Sequence, residues 1–305
     1  MDLNNQTPKP SKLRVSTITA TCKINSPINL QNLSDNLDID ENIIYIEFGK
    51  NTKGVSNKNI SEKKMKTKKV FYNQITILVR VGENIMNNVK LFNNGAISMT
   101  GLKSEEHGKK AVETLLKYMK KIDLDVENEK KCLQNKDASI NNFKIVLINS
   151  DYYIGYEIKR SELHELLVNK YKIYSSYEPC IYPGVNSKFY WNEDYLDKEY
   201  KGKCYCTETC EGKGTGKGNG QCKKITISAF QSGSVIITGA RNYDQIKTSY
   251  NFINKIFDEN YEILKKENAP FLDINDTLNK KQKKSNSNIL LKKANIKNYS
   301  KYFVE

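Results

Sequence analysis

Histidine and tryptophan are almost missing from this chain of 305 residues, which holds only His107, His164 and Trp191. The two histidines stand far apart, each beside glutamate on a helix-like stretch and without a nucleophile or metal-ligand pattern around it. Both read as solvated helix residues, and no catalytic residue is expected. The alternating glycines Gly212, Gly214, Gly216, Gly218 and Gly220 lack the Gly-Lys-Ser/Thr ending and the strand-to-helix setting of a phosphate loop. Trp191 follows a Phe-Tyr pair and reads as strand-end packing. Signal-peptide, membrane-spanning and lipidation patterns are also missing, so no membrane partner is expected. The seven cysteines are then expected in a reducing intracellular compartment, where disulfides do not persist.

Negative charge is in short supply as well. Lys and Arg number 49 against 35 Asp and Glu, a formal charge of +14. A surplus of that size attracts polyanions in a salt-dependent way. Asn, Lys and Ile are so abundant that an AT-rich genome explains much of the lysine, and lysine runs are commonly solvated surface. Such a composition suits a large DNA virus or an AT-rich protist, hence a viral factory in the host cytoplasm or a nucleus.

What is present is a repeat. Phe92-Asn-Asn-Gly95-Ala-Ile97-Ser98-Met99-Thr100-Gly101-Leu102-Lys103 returns as Phe230-Gln-Ser-Gly233-Ser-Val235-Ile236-Ile237-Thr238-Gly239-Ala240-Arg241, each residue 138 positions on. Duplication of one fold unit explains this. Asn94-Gly95 and Ser232-Gly233 are turn dipeptides of hairpins. In the second strand of each hairpin Ile97 and Met99, like Val235 and Ile237, point to one face, while Ser98 and Thr100, like Ile236 and Thr238, point to the other. A helical pattern follows each copy, through Ala111, Val112, Leu115 and Met119, then Ile246, Tyr250, Ile253 and Phe257. Those helices need the apolar sheet face, which leaves the opposite face for a ligand.

A second motif is more specific: Ser175-Ser176-Tyr177-Glu178-Pro179-Cys180-Ile181-Tyr182-Pro183-Gly184 precedes the second hairpin. Together with Thr238-Gly239-Ala240-Arg241 it resembles the second repeat of TATA-box-binding proteins. The first repeat is similar through Phe92, Gly95 and Thr100-Gly-Leu-Lys-Ser-Glu-Glu106. The resemblance covers roughly 13–122 and 142–264. It implies an α+β fold: a two-fold pseudo-symmetric saddle whose curved antiparallel sheet carries helices on its convex face and grips double-stranded DNA from the minor groove. It further implies aromatic wedges at Tyr182 and Phe230 in the second half, and at Phe92 with Phe71 or Tyr72 in the first. Thr100 and Thr238 match groove-facing threonines, and Ile236 shares their face.

The resemblance also has departures. Aligning Ile18 with Ile148 puts Thr17 and Leu147 where the family carries an asparagine in each half. Two residues on stand Thr19 and Asn149, and Asn149 is a candidate substitute. By resemblance, Tyr177, Glu178 and Pro179 form the surface that recruits a TFIIB-like factor and, through it, RNA polymerase machinery. The expected function is a DNA-bending transcription initiation factor. The alternative is a diverged saddle without TATA specificity, serving as a protein scaffold.

The expected organisation is a disordered terminus 1–12, a first repeat 13–122 with a basic loop 49–69, a linker 123–141, a second repeat 142–264 and a basic tail 265–305. The basic loop reads either as phosphate-contacting or as a disordered solvated segment. The second repeat is interrupted at 191–223 by a Cys- and Gly-rich insertion. No cofactor is required for DNA binding, but Cys204, Cys206, Cys210 and Cys222 can close a tetrahedral zinc site. The other reading is a low-complexity loop that accumulated cysteines.

Overall fold

Alternating burial runs through most of the strands and separates a core face from an open one. The computed structural model describes residues 7–55, 71–192, 202–207, 210 and 212–266. All its elements lie in the unit ending at Lys265, and of 266–305 only Lys266 is described. The basic tail beyond Lys266 and 56–69 of the basic loop therefore lie outside the described residues.

The first half runs β1 (Arg14–Ile24), α1 (Leu30–Asn36), β2 (Ile43–Phe48), β3 (Asn51–Gly54), β4 (Gln74–Gly82), β5 (Ile85–Phe92), β6 (Ala96–Leu102) and α2 (Glu105–Asp125). The second runs β7 (Ile140–Tyr153), α3 (Arg160–Glu165, continued by a wider turn at Leu166–Lys170), β8 (Ser175–Ser176), β9 (Val185–Trp191), β10 (Lys223–Ala229), β11 (Ser234–Ala240), α4 (Tyr243–Glu259) and α5 (Tyr261–Leu264). All eleven strands form one sheet in the order β3-β2-β4-β5-β6-β1-β7-β11-β10-β9-β8, with every neighbouring pair antiparallel. Outward from the central β1–β7 pair, β6, β5, β4 and β2 on one side correspond to β11, β10, β9 and β8 on the other. Strand β3 is an addition at one edge.

Both hairpin turns depend on glycine. Gly95 and Gly233 have φ of +81° and +83°, and a Cβ there would lie 2.3 Å from the Ile24 carbonyl oxygen and 2.1 Å from that of Tyr156. Only a residue without a side chain fits at either position. Each hairpin then enters a capped helix. Ser104 Oγ accepts from the His107 N–H at 3.3 Å, and Asn242 Oδ1 accepts from the Gln245 N–H at 2.9 Å. These caps satisfy amide groups that the first helical turn leaves free, and they too are 138 residues apart.

The core lies between the helices and one sheet face. Ile97, Met99, Val235 and Ile237 are buried, as are Ala111, Val112, Leu115 and Met119 of α2 and Ile246, Ile253 and Phe257 of α4. Tyr250 is half-buried, its ring 4.6 Å from that of Tyr152. Among the described residues no helix covers the opposite face.

Two expectations change, and the joint between the halves gains detail. Residues 7–12, expected to be disordered, run beside β7: the Ser11 N–H donates to the Tyr153 carbonyl at 2.7 Å, and the Tyr153 N–H returns a bond to Ser11 Oγ at 2.9 Å. An exposed strand end supplied partners that the tail's polar composition did not advertise. The start of the basic loop is strand, because Asn51–Gly54 pairs with β2. The stretch between the halves is anchored, with Asp123 accepting from the N–H groups of Cys132 at 2.6 Å and Leu133 at 3.0 Å.

Candidate nucleic-acid interface

The pairing register shows how the two halves meet on the open face. Ile18 lies opposite Ile148, with Thr17 opposite Asn149 and Thr19 opposite Leu147. The pattern is symmetric about the isoleucine pair, so Thr17 is equivalent to Leu147 and Thr19 to Asn149. Ile18 and Ile148 are buried, which turns the four flanking side chains to the open face, all of them half-buried. On the next strand Thr238 pairs with Asn149, and its hydroxyl donates to Asn149 Oδ1. The Asn149 amide nitrogen has no hydrogen-bond partner among the described residues and remains a free donor. Thr100 is exposed and Ile236 is 37% exposed on the same face.

Aromatic rings stand at the ends of the hairpins. Tyr182 and Phe230 are in edge contact, with centroids 5.7 Å apart and planes at 62°. Tyr182 is 39% exposed and Phe230 half-buried. Gly184 makes the contact sterically feasible, since a Cβ there would lie 2.9 Å from the Tyr182 ring and 3.0 Å from that of Phe230.

The first half is arranged differently. Ile75 lies opposite Leu91 as Val185 lies opposite Ala229, and Tyr72 and Tyr182 each precede these residues by three. The register therefore places Tyr72, not Phe71, at the position equivalent to Tyr182. Sequence had left Phe71 and Tyr72 both open, because an insertion before β4 obscures the count. Phe71 is 54% exposed, and Tyr72 leans edge-on against Phe48 at 6.4 Å. Phe92 is half-buried and has no ring partner among the described residues.

Several residues were not singled out from sequence. Arg160 clamps the Tyr177–Gly184 turn: its guanidinium lies over the Tyr177 ring at 5.3 Å, one nitrogen donates to the Pro183 carbonyl and another to Gln231 Oε1 at 3.2 Å. Glu178 and Pro179 are left exposed at the tip while Tyr177 is half-buried. His164 is half-buried rather than solvated, with Nδ1 3.0 Å from Ser175 Oγ in the same region; His107 is half-buried too. On the open face Lys188 donates to Asn186 Oδ1 at 2.6 Å and Thr226 Oγ1 at 3.0 Å. Burial, and then the neighbouring Lys224, lower its pKa from the usual lysine value. The strand alternation of β9 signalled Lys188, but only the fold brings Thr226 beside it.

The open face also carries carboxylates that oppose a polyanion, among them Glu47 on β2 and Asp151 near the centre. Asp151, on β7, is held by Arg14, whose Nη2 is 2.8 Å from Oδ1, and accepts a bond from the Ser16 hydroxyl. The arrangement neutralises much of a carboxylate whose position no sequence pattern signalled.

Three of the four cysteines of the insertion bring their sulfurs together, and the fourth packs beside them. Sγ atoms of Cys204, Cys206 and Cys210 all lie within 4.8 Å of one another, and Cys222 joins their buried cluster. The cluster is at the Trp191–Lys223 end of β9 and β10, the far end from Tyr182 and Phe230.

No family model matches the chain. A curated protein of Acanthamoeba polyphaga mimivirus, "TATA-box-binding protein-like", is 30% identical over 265 residues, covering 83% of this chain and 67% of that protein. A solved structure, Methanococcus jannaschii TBP, aligns with a TM-score of 0.45 and 18% identity, over 83% of this chain and 99% of that one. That score is too low to bear on the fold, which rests on the strand order itself.

Proposed function

Since the chain belongs to the TATA-box-binding-protein-like family, we propose that it binds double-stranded DNA from the minor groove, bends it without catalysis, and acts in transcription initiation. The observation that carries this reading is the open sheet face, with threonines and a free Asn149 amide at its centre and the Tyr182–Phe230 pair at the end of a hairpin. In the minor groove A·T pairs present only acceptors, so hydroxyl and amide donors with small apolar groups suit its floor. Aromatic side chains inserted between base steps kink the duplex, a device for which TATA-box-binding proteins are themselves the standard example. The Tyr182 hydroxyl adds a polar tip to such a wedge.

DNA-contacting roles go to Phe92, Tyr72, Tyr182, Phe230, Thr100, Thr238, Thr19, Asn149 and Ile236. The exposed Glu178 and Pro179, with Tyr177 held by Arg160, form the surface for a TFIIB-like factor and the polymerase it recruits. The place of work is where the genome is transcribed, a nucleus or a viral factory. Leu147 cannot donate a hydrogen bond, so A·T selectivity rests on the equivalent residues Thr19 and Asn149 in place of the family's asparagines. No structural observation favours the scaffold alternative, which would leave that free donor without a task.

The test is competition binding of TATA-containing, scrambled A·T and G·C duplexes across a salt series. Preference for A·T duplexes that persists at physiological salt is expected. Equal binding that vanishes as salt rises would reduce the interaction to charge alone and remove the groove-reading role.

A further inference from the structure

Among its described residues, the Cys- and Gly-rich insertion has almost no core of its own. Its buried cluster consists of Cys206, Cys210 and Cys222, with Tyr190, Cys204 and Tyr205 packed against it, and contains no aliphatic side chain. Segments this small are rarely held by so little apolar surface, and a structural metal is one of the few available staples. Backbone hydrogen bonds nonetheless tie its described residues to one another and to the sheet. The Tyr190 N–H donates to the Gly202 carbonyl at 3.0 Å, the Lys224 N–H to Gly214 at 2.8 Å, and the Gly216 N–H to Cys222 at 3.0 Å.

Three of the sulfurs are spaced like one face of a tetrahedral site, and Cys222, buried in the same cluster, is the fourth ligand at hand. A tetrahedron with metal–sulfur bonds of about 2.3 Å has sulfur–sulfur edges of about 3.8 Å. Cys204 Sγ and Cys210 Sγ are 3.8 Å apart, and Cys206 Sγ lies within 4.8 Å of both. All four cysteines are free thiols. Backbone amides point at the sulfurs, as they do around thiolate ligands: Thr215 and Gly214 N–H donate to Cys210, and the Tyr205 N–H donates to Cys222 at 3.2 Å. Asn192 Nδ2 approaches Cys222 Sγ at 3.5 Å. Gly218 and Gly220 let the chain wrap the cluster, because a Cβ at Gly218 would lie 2.4 Å from that of Cys210 and one at Gly220 3.0 Å from Cys206 Sγ.

We propose that Cys204, Cys206, Cys210 and Cys222 bind one zinc ion in a closed, structural four-thiolate site that fastens the insertion to the β9–β10 end of the sheet. Four protein ligands leave no open position, so the ion has no catalytic part. Each thiol loses its proton on ligation. The length of β10, from Lys223 to Ala229, separates the site from the Tyr182–Phe230 pair by roughly 20 Å, so this proposal does not depend on DNA binding.

The test uses the full chain purified without added chelator. Elemental analysis should find one zinc per chain. An organomercurial titrated in the presence of a zinc-sensitive dye should release that zinc as four thiols react. Replacement by cobalt should give the intense visible bands of a tetrahedral thiolate site. Cys210→Ser should lose the metal and Cys180→Ser, altering an exposed cysteine outside the cluster, should keep it. If Cys210→Ser does not fold, the mercurial titration of the unaltered protein decides alone. Absence of zinc, release of zinc without four thiols, iron in its place, or disulfides among these cysteines would each overturn the proposal.

Discussion

At the scale of single residues, two side chains separate shape recognition from attraction. Phe230 touches Tyr182 on a turn that Gly184 keeps open, and on the proposed function its ring enters a base step. On the same proposal lysines supply much of the attraction, and they remain when the ring is removed. Phe230→Ala should therefore reduce the bend angle, read by energy transfer between dyes on the two DNA ends, far more than it reduces affinity at low salt. An unchanged bend would remove Phe230 from the wedge role. Asp151 works in the other direction. Asp151→Asn removes a carboxylate from the open face and frees Arg14, so duplex binding should tighten several-fold at low salt, with the gain shrinking as salt rises. Weaker binding by this variant would place Asp151 outside the interface.

At the scale of elements, the two hairpins are duplicates in conformation as well as in sequence. Gly95 and Gly233 share a positive φ and the same close approach to a carbonyl of the neighbouring strand end. Gly95→Ala and Gly233→Ala should each cost at least about 2 kcal/mol in urea unfolding, because left-handed strain and a clash with immobile backbone add together. A loss below about 0.5 kcal/mol would show that the turns relax. The hairpins, the helices and their buried stripes were legible in the sequence, since periodicity and turn dipeptides are local signals. The first-half counterpart of Tyr182 was not. An insertion hid whether Phe71 or Tyr72 aligns with Tyr182, and only the Ile75–Leu91 pairing counted the residues correctly.

At the scale of the whole molecule, charge and symmetry part company. The open face is nearly two-fold, but one half carries Asn149, Asp151 and Lys188 where the other carries Thr19, Thr21 and Leu78. The six lysines Lys58, Lys63, Lys64, Lys66, Lys68 and Lys69 belong to the first half alone. Replacing them by alanine should flatten the salt dependence of DNA binding by about 0.9 in log–log slope for each phosphate that is no longer neutralised, with little change in sequence preference. An unaltered slope would make that segment a solvated surface without a part in binding.

Duplication, α+β class, two-faced strands, the helices that follow the hairpins and the grouping of four cysteines could all be read from the chain alone, because each is written in residues close together along it. The mirrored strand order came from the folded molecule. So did the placing of Asn149 beside Thr238 at the centre of the open face, the Arg160 clamp on the Tyr177–Gly184 turn, and the spacing of three sulfurs like one face of a metal tetrahedron. These depend on pairs of residues far apart in sequence, whose meeting is set by strand register and the bulges that shift it, and no local pattern encodes that register.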